Sequence, residues 1–493
     1  MTKKELPLRC IIFFTCLLSL LAAMASRANT HDDFYHLGQI NKASIVMLAE
    51  EGLVPAELAA SIAKGIAVVI DEQEREGSVR SSNYLDFEAR LLDVAGPNAS
   101  RLHTGRSRQD IGSTMRRMAL REALLDSYEA LLAARYALLD LAAAHVGTII
   151  PAYTHGVQAQ PTTLAHYLLA FSAAFERDAQ RLQEVYARLN RSPLGAAALG
   201  TSGFPIDRER LAELLGFGGL VENSYDANLV SSVDSKIEFS NALATSAITV
   251  GQLMQNLHTQ YHNPVPWILL EDEQTDVSSI MPQKRNPRPL DVVRLLATSV
   301  VGSAHTVTLN AHNTNSGMND YRPGAQALHT ARQAQAMYEA YVSVMTHLII
   351  DEARALDEVD SDYSTMTEVA DVLLREASVP FRIGHHYASE LTGYGRAAGK
   401  RPKDLRDDEL LALYKASTGQ DLPLDVDVIR RAMDPAAMVE GRNGLGGPQR
   451  NEVLRMLTQH NGSLEAELKW LQASRKRLVD SAQGLERNFL QLK

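Results

Sequence analysis

The chain reads as an all-α protein of three helical domains, with a bundle of long helices at its centre. Three observations predict this. Aromatic residues make up only 6% of the 493 residues, while Ala and Leu, both strong helix formers, are plentiful. Apolar residues recur at three- and four-residue spacing over stretches longer than an ordinary globular helix. Strand signals are scarce.

The elements follow in order. Lys3, Lys4 and Arg9 precede an apolar run, 10–25, that ends in Ala23-Met24-Ala25. A charged start, an apolar core and small residues before a break are the anatomy of a secretory signal peptide. The run is short for a membrane-spanning helix. Stable membrane insertion is therefore not expected once 1–25 is removed. The first long helical pattern, 112–145, carries Met115, Met118, Leu124, Leu125, Leu131, Leu132, Leu138 and Leu139. A second, 162–190, follows Pro161, a residue suited to a helix start. The segment 192–205, rich in Gly, Pro and Ala, reads as a loop. Patterns at 235–261 and 290–309 repeat the long-helix style. The mature chain then divides into an N-terminal helical domain, 26–147, a central long-helix domain, 148–396, and a small helical domain, 397–493. The second boundary rests on Gly393, Gly395 and Gly399.

Composition excludes several classes. A net charge of −10 argues against a nucleic-acid partner. Both cysteines, Cys10 and Cys16, lie in the leader. The mature chain is thus expected to hold no disulfide, no thiolate metal site and no cysteine nucleophile. No metal cluster or Gly-rich phosphate loop is evident, so no cofactor is expected. Export, to a periplasm or beyond, is the expected location; without a working leader the protein would stay in the cytoplasm.

Chemistry concentrates in three segments. One is Ser278-Ser279-Ile280-Met281-Pro282-Gln283-Lys284-Arg285-Asn286-Pro287, a loop that feeds a helix. Its two hydroxyls, cation and amide suit a substrate with carboxylates and a proton to lose. The others are Leu102-His103-Thr104-Gly105-Arg106-Ser107-Arg108-Gln109-Asp110 and Pro151-Ala152-Tyr153-Thr154-His155-Gly156-Val157-Gln158-Ala159-Gln160-Pro161.

The first string resembles the signature loop of the fumarase/aspartase superfamily, whose members eliminate fumarate from substituted succinates. With the other two, the chain looks like the argininosuccinate lyases within that superfamily. The resemblance runs from about His31 onward and is weakest in the last hundred or so residues. It implies a homotetramer with a central helical bundle, whose active sites each take segments from three subunits, and a small-molecule substrate. It also implies roles. Ser278 is the base, with Ser279 as runner-up. Lys284 and Asn286 grip carboxylates, and His155 handles the leaving-group proton. Arg108 and Gln109 bind the succinate carboxylates, with Thr104 and Thr154 adding contacts. Asp291 holds the position of the acidic partner of that histidine, where argininosuccinate lyases carry Glu; a first-turn Asp favoured by the helix dipole is the plain alternative. Ser107 reads equally as a helix cap.

The chain also departs from the family. Gln109 replaces Asn, and Val277 replaces the Gly that usually opens the signature. Met318, Pro323 and Gln326 stand where a Tyr, Gln and Lys hold the amino-acid end of the arginine moiety; Tyr321 and Arg322 are the candidate substitutes. Tyr225-Asp226-Ala227-Asn228 leads to Ser231-Ser232-Val233-Asp234 without the family's arginine. The succinate half of the site is retained and the guanidino-amino-acid half is not. The chain is expected to be a cofactor-free C–N lyase that releases fumarate from argininosuccinate or a related N-substituted aspartate. Alternatives are an exported lyase of aminodicarboxylic analogues, an adenylosuccinate lyase-like enzyme, and a non-catalytic structural paralogue.

Overall fold

The structure, a computed structural model, describes residues 31–318 and 324–493. The expected leader lies outside the described residues. Two helices come first, α1 (Asp33–Glu50) and α2 (Ala56–Glu74). The Asp32 carboxylate caps α1 by accepting the Tyr35 amide at 3.0 Å. Asn83 caps α3 (Tyr84–Ala95) in the same manner. A 3-10 turn, Pro97–His103, leads to the 37-residue helix α4 (Arg108–Ala144).

β1 (Ile149–Thr154) and β2 (Val157–Thr163) then form an antiparallel hairpin, followed by α5 (Leu164–Leu189). Pro161 therefore does not start the helix. It faces Pro151 across the hairpin, where neither ring has an amide to contribute. The β-branched pair Thr162-Thr163 extends the strand, and the helix begins only at Leu164. After the loop and α6 (Arg208–Leu214), a wide π turn, Asp226–Val230, opens α7 (Ser231–Gln260).

β3 (Ile268–Leu270) precedes a second small hairpin, β4 (Asp276–Val277) with β5 (Arg285–Asn286). Then come α8 (Arg288–Ala311), α9 (Ala325–Thr346) and β6 (Leu348–Ile350), which pairs with β3. A run of shorter helices follows: α10 (Glu352–Asp360), α11 (Met366–Ala377), α12 (Phe381–Ala397), α13 (Asp407–Thr418), α14 (Val426–Met433) and α15 (Pro435–Glu440). The 43-residue α16 (Arg450–Leu492) closes the chain.

The fold is all-α, as the composition predicts, and it parts into two compact units. The first holds the described residues up to Ala119, Asn190–Leu229 and Leu478–Lys493. Its core is built on Leu37, Ile40, Ile66, Phe87, Leu102 and Phe489. The second holds Leu120–Leu189 and Val230–Arg477. Here α5, α7, α8 and α9 pack side by side, burying Phe175, Phe239, Val250, Val300 and Tyr341. Heptad-like apolar spacing gives each of these helices one stripe to bury, and a bundle is what such stripes build. Arg135 of α4, fully buried, donates to both Glu467 oxygens at 2.6 Å and to Glu176 at 2.7 Å.

The division expected near Gly147 falls in the turn between α4 and β1. The division expected near Arg396 falls at the end of α12. A single small core, with Val369, Leu373, Tyr387, Leu391, Leu410 and Ile429, spans both sides of that point.

Candidate active site

The signature residues share one loop of the second unit. The β4–β5 pairing, Asp276 opposite Asn286 and Val277 opposite Arg285, closes 278–284 into a hairpin. Ser278 sits at its entrance, half-buried. Its Oγ accepts the Met281 amide at 3.1 Å and the Ile280 amide at 3.4 Å. Two amides aimed at one hydroxyl oxygen favour negative charge on it. Ser279 is exposed. The Asn286 amide donates to the Asp276 carbonyl at 2.9 Å, so this side chain also latches the hairpin. Arg285 reaches Asp272 at 3.7 Å and Arg288 reaches Asp276 at 3.2 Å. Lys284 is exposed. The loop also shows apolar side chains to solvent, with Ile280 82% exposed and Val277 72%.

His155 occupies the tip of the other hairpin of this unit. Thr154 pairs with Val157, which leaves a two-residue turn, His155-Gly156. Both residues have positive φ, 53° and 76°. That is the backbone of a type I′ turn, which suits the right-handed twist of the strands and normally selects Asn-Gly or Gly-Gly. A histidine there is held in a sparsely populated conformation. A register shift between Ala152 and Tyr153 bulges the strand just before the tip. Thr154 and His155 are exposed. Burial, above all, pushes the Tyr153 phenol up.

Thr104, Arg108 and Gln109 belong to the first unit. Arg108 and Gln109 are the first two residues of α4, where the helix dipole favours an anion. Arg108 is exposed. The Thr104 hydroxyl donates to the Arg101 carbonyl at 2.7 Å, closing the 3-10 turn. Ser107 Oγ accepts the Gln109 amide at 3.3 Å, and the Ser107 amide donates to Asp110 at 2.8 Å. The serine is thus a helix cap. Asp110 is buried, and that burial pushes its carboxyl up to about 6. Gly105 has a φ of +70°, and a Cβ there would lie 2.4 Å from Ile206.

Comparison with known proteins identifies the chain. A family model described as lyase matches residues 28–302, and one described as argininosuccinate lyase C-terminal matches 363–440. The argininosuccinate lyase of Methanosarcina acetivorans is 33% identical over 450 residues, 90% of each chain. That of Methanoculleus marisnigri is 36% identical, over 81% of this chain and 80% of its own. The crystal structure of an EDDS lyase in complex with formate matches with a TM-score of 0.84 at 30% identity, covering 93% of this chain and 92% of that one. A variant of EDDS lyase with bound fumarate matches equally well. The chain belongs to the argininosuccinate lyase family. It is a carbon–nitrogen lyase of the fumarate lyase superfamily. Members of that superfamily act on small molecules and are typically homotetramers.

This lyase therefore carries its candidate residues on the signature loop, a hairpin tip, a helix start and the first turn of α8. Asp291, in the first turn of α8, lies 3.5 Å from Arg294 and 3.6 Å from His258. Among the described residues its partners are thus these two and not His155. His258 lies in the last turn of α7, and a lone histidine near a helix end gives no signal of its own in the sequence. Asp110 was read only as the end of a motif. Tyr321 and Arg322 lie outside the described residues, as does Pro323. Met318 is exposed, and the Gln326 amide donates to Ser303 Oγ at 2.8 Å.

Proposed function

We propose that this lyase releases fumarate from an N-substituted aspartate by base-catalysed elimination, with Ser278 as the base. The observation that carries the reading is the pair of loop amides aimed at Ser278 Oγ. The proton to be removed lies beside a carboxylate, so the site must stabilise a second negative charge. A serine alkoxide needs the same help, and backbone amides with a nearby ammonium supply it. In this reading Lys284 stabilises the aci-carboxylate that forms when Ser278 takes the proton. Arg108, Gln109 and Asn286 hold the succinate carboxylates, with Thr104 and Thr154 beside them. His155 delivers a proton to the departing nitrogen as the C–N bond breaks, with Asp291 setting the local charge. Exposure of the His155 tip and of the signature loop fits a site completed by other copies of the chain in a homotetramer. So do the apolar side chains on the long helices, such as Leu295 at 68% exposed and Ile248 at 63%.

The leaving amine is read from the departures. Argininosuccinate is the nominal substrate of the family. The Gln326 amide is already engaged with Ser303, and Met318 offers no charge to an amino-acid end. Likeness to EDDS lyase supports a different N-substituted aspartate, and an aminodicarboxylic one fits best. The leader supports export of the enzyme, which would set it apart from arginine biosynthesis in the cytoplasm. N-terminal sequencing from the native host is expected to find a start near Ser26; a soluble cytoplasmic chain that begins at Met1 or Thr2 would refute export.

The base assignment is tested by Ser278→Ala. Loss of more than about three orders of magnitude in turnover, with the assembly intact, is expected for removal of a base. Near-normal turnover would sink the assignment. A comparable loss confined to Ser279→Ala would move the base by one residue.

A further inference from the structure

We propose that Asp110 is a positioning residue, whose buried carboxylate fixes the turn that presents Arg108 and Gln109 to substrate by tying it to the loop 192–205. The inference rests on the reading of Arg108 and Gln109 as carboxylate grips. Three backbone amides converge on this one side chain. Oδ1 accepts from Ser107 at 2.8 Å, while Oδ2 accepts from Gly195 at 3.0 Å and Ala197 at 2.9 Å. The first donor lies immediately before Arg108; the other two belong to the loop. Asp110 is 0% exposed, so it is held by these bonds and not by water.

The loop end of the tie is itself anchored. The Asn228 amide donates to the Ala197 and Ala198 carbonyls at 2.8 and 3.0 Å. The Arg208 guanidinium donates to the Leu194, Val221 and Glu222 carbonyls at 3.3, 2.7 and 2.8 Å. Ala197 is kept at a φ of +52°, which costs free energy and persists only when its surroundings impose it. On the other side, Ile206 fills the space beside Gly105. The turn and the loop therefore interlock at two points, and Asp110 is the polar one.

This matters for Arg108 because its side chain has no hydrogen-bond or ion-pair partner among the described residues. Only its backbone aims it. A carboxylate is the group required, since it offers two acceptor oxygens and no donor. Asparagine would turn one oxygen into an amino group facing an N–H. A grip that depends on geometry loses strength when its backbone shifts by an ångström.

The test compares wild type, Asp110→Asn and Asp110→Ala as assembled proteins. Fumarate is the probe, its Kd read by titration calorimetry, with kcat and KM on the best N-substituted aspartate. The core variant Ile66→Val controls for lost stability. Asp110→Ala is expected to raise fumarate Kd and KM about tenfold or more, with kcat changed less than about threefold. Asp110→Asn is expected to fall between it and wild type. An unchanged Kd in both variants, with a lowered Tm, would make Asp110 a structural strut and overturn the proposal. If Asp110→Ala does not fold, the near-isosteric Asp110→Asn decides alone, by the same Kd. A wild type that binds no fumarate removes the functional reading itself, and the proposal with it, before any variant is needed.

Discussion

Ser278 and Ser279 are adjacent hydroxyls with different surroundings. One receives two loop amides and is half-buried; the other is exposed. The motif alone gave only their order, because an amide three residues away folds back through a loop geometry that spacing does not encode. The same holds for Asp110, whose two loop partners are 85 and 87 residues distant. Lys284, Asn286 and His155 stand out as candidates in the sequence because each lies inside a specific local string. Asp110 also gives a pH signature. Its folded carboxyl is raised from 3.8 to about 6, first by burial, with the Ser107, Ala197 and Gly195 amides and Arg106 pulling it down. The folded state therefore binds this proton more readily than the unfolded one. Its contribution to stability is full below about 3.8 and is lost as pH rises through about 6, an effect of at most about 3 kcal/mol. Wild type is expected to lose stability relative to Asp110→Asn as pH rises from 4 to 7. Thermal unfolding of both proteins across that range checks this, and a constant difference would contradict it.

At the scale of elements, the long helices were legible because a repeating apolar stripe is local information, and the bundle needs nothing else to predict it. The hairpin Ile149–Thr163 was not, because its signal is a pair of facing prolines and a His-Gly turn rather than an alternating pattern. The tie of α16 to α4 and α5 was invisible too, since Arg135 and Glu467 are 332 residues apart. That tie is a charged cluster in a dry place. Arg135 is wholly buried and Glu467 nearly so. Burial pushes the Glu467 carboxyl up to about 7 and the His460 imidazole down. Arg135→Met leaves Glu467 and Glu176 without their cation, and removal of one partner of a buried pair costs about 3–5 kcal/mol. Calorimetry should show a large fall in Tm for Arg135→Met and partial recovery in Arg135→Met/Glu467→Leu. No recovery in the double variant would mean that packing, not charge, dominates this seam.

For the whole molecule, the described chain carries its candidate groups on separate elements. A helix start lies in one unit, and a hairpin tip and a signature loop lie in the other. The spatial partners of such residues are not legible in sequence: among the described residues Asp291 pairs with His258 and Arg294, and no motif announces His258. Specificity follows from what is retained and what is changed. In the proposed reading, Arg108, Thr154, His155, Ser278, Lys284 and Asn286 address the succinate and the bond to be broken. In the same reading Met318 and Gln326 stand at the far end of the leaving amine, and Pro323 lies outside the described residues. A charged substrate group with no partner keeps its desolvation cost, so two lost polar contacts are worth about a hundredfold in kcat/KM. The deciding measurement is fumarate release, followed by absorbance, across a panel of N-substituted aspartates that includes argininosuccinate. The expected result is fumarate from at least one member, with argininosuccinate at least about a hundredfold poorer in kcat/KM. Argininosuccinate as the best substrate by a wide margin, or no fumarate from any member, would contradict it.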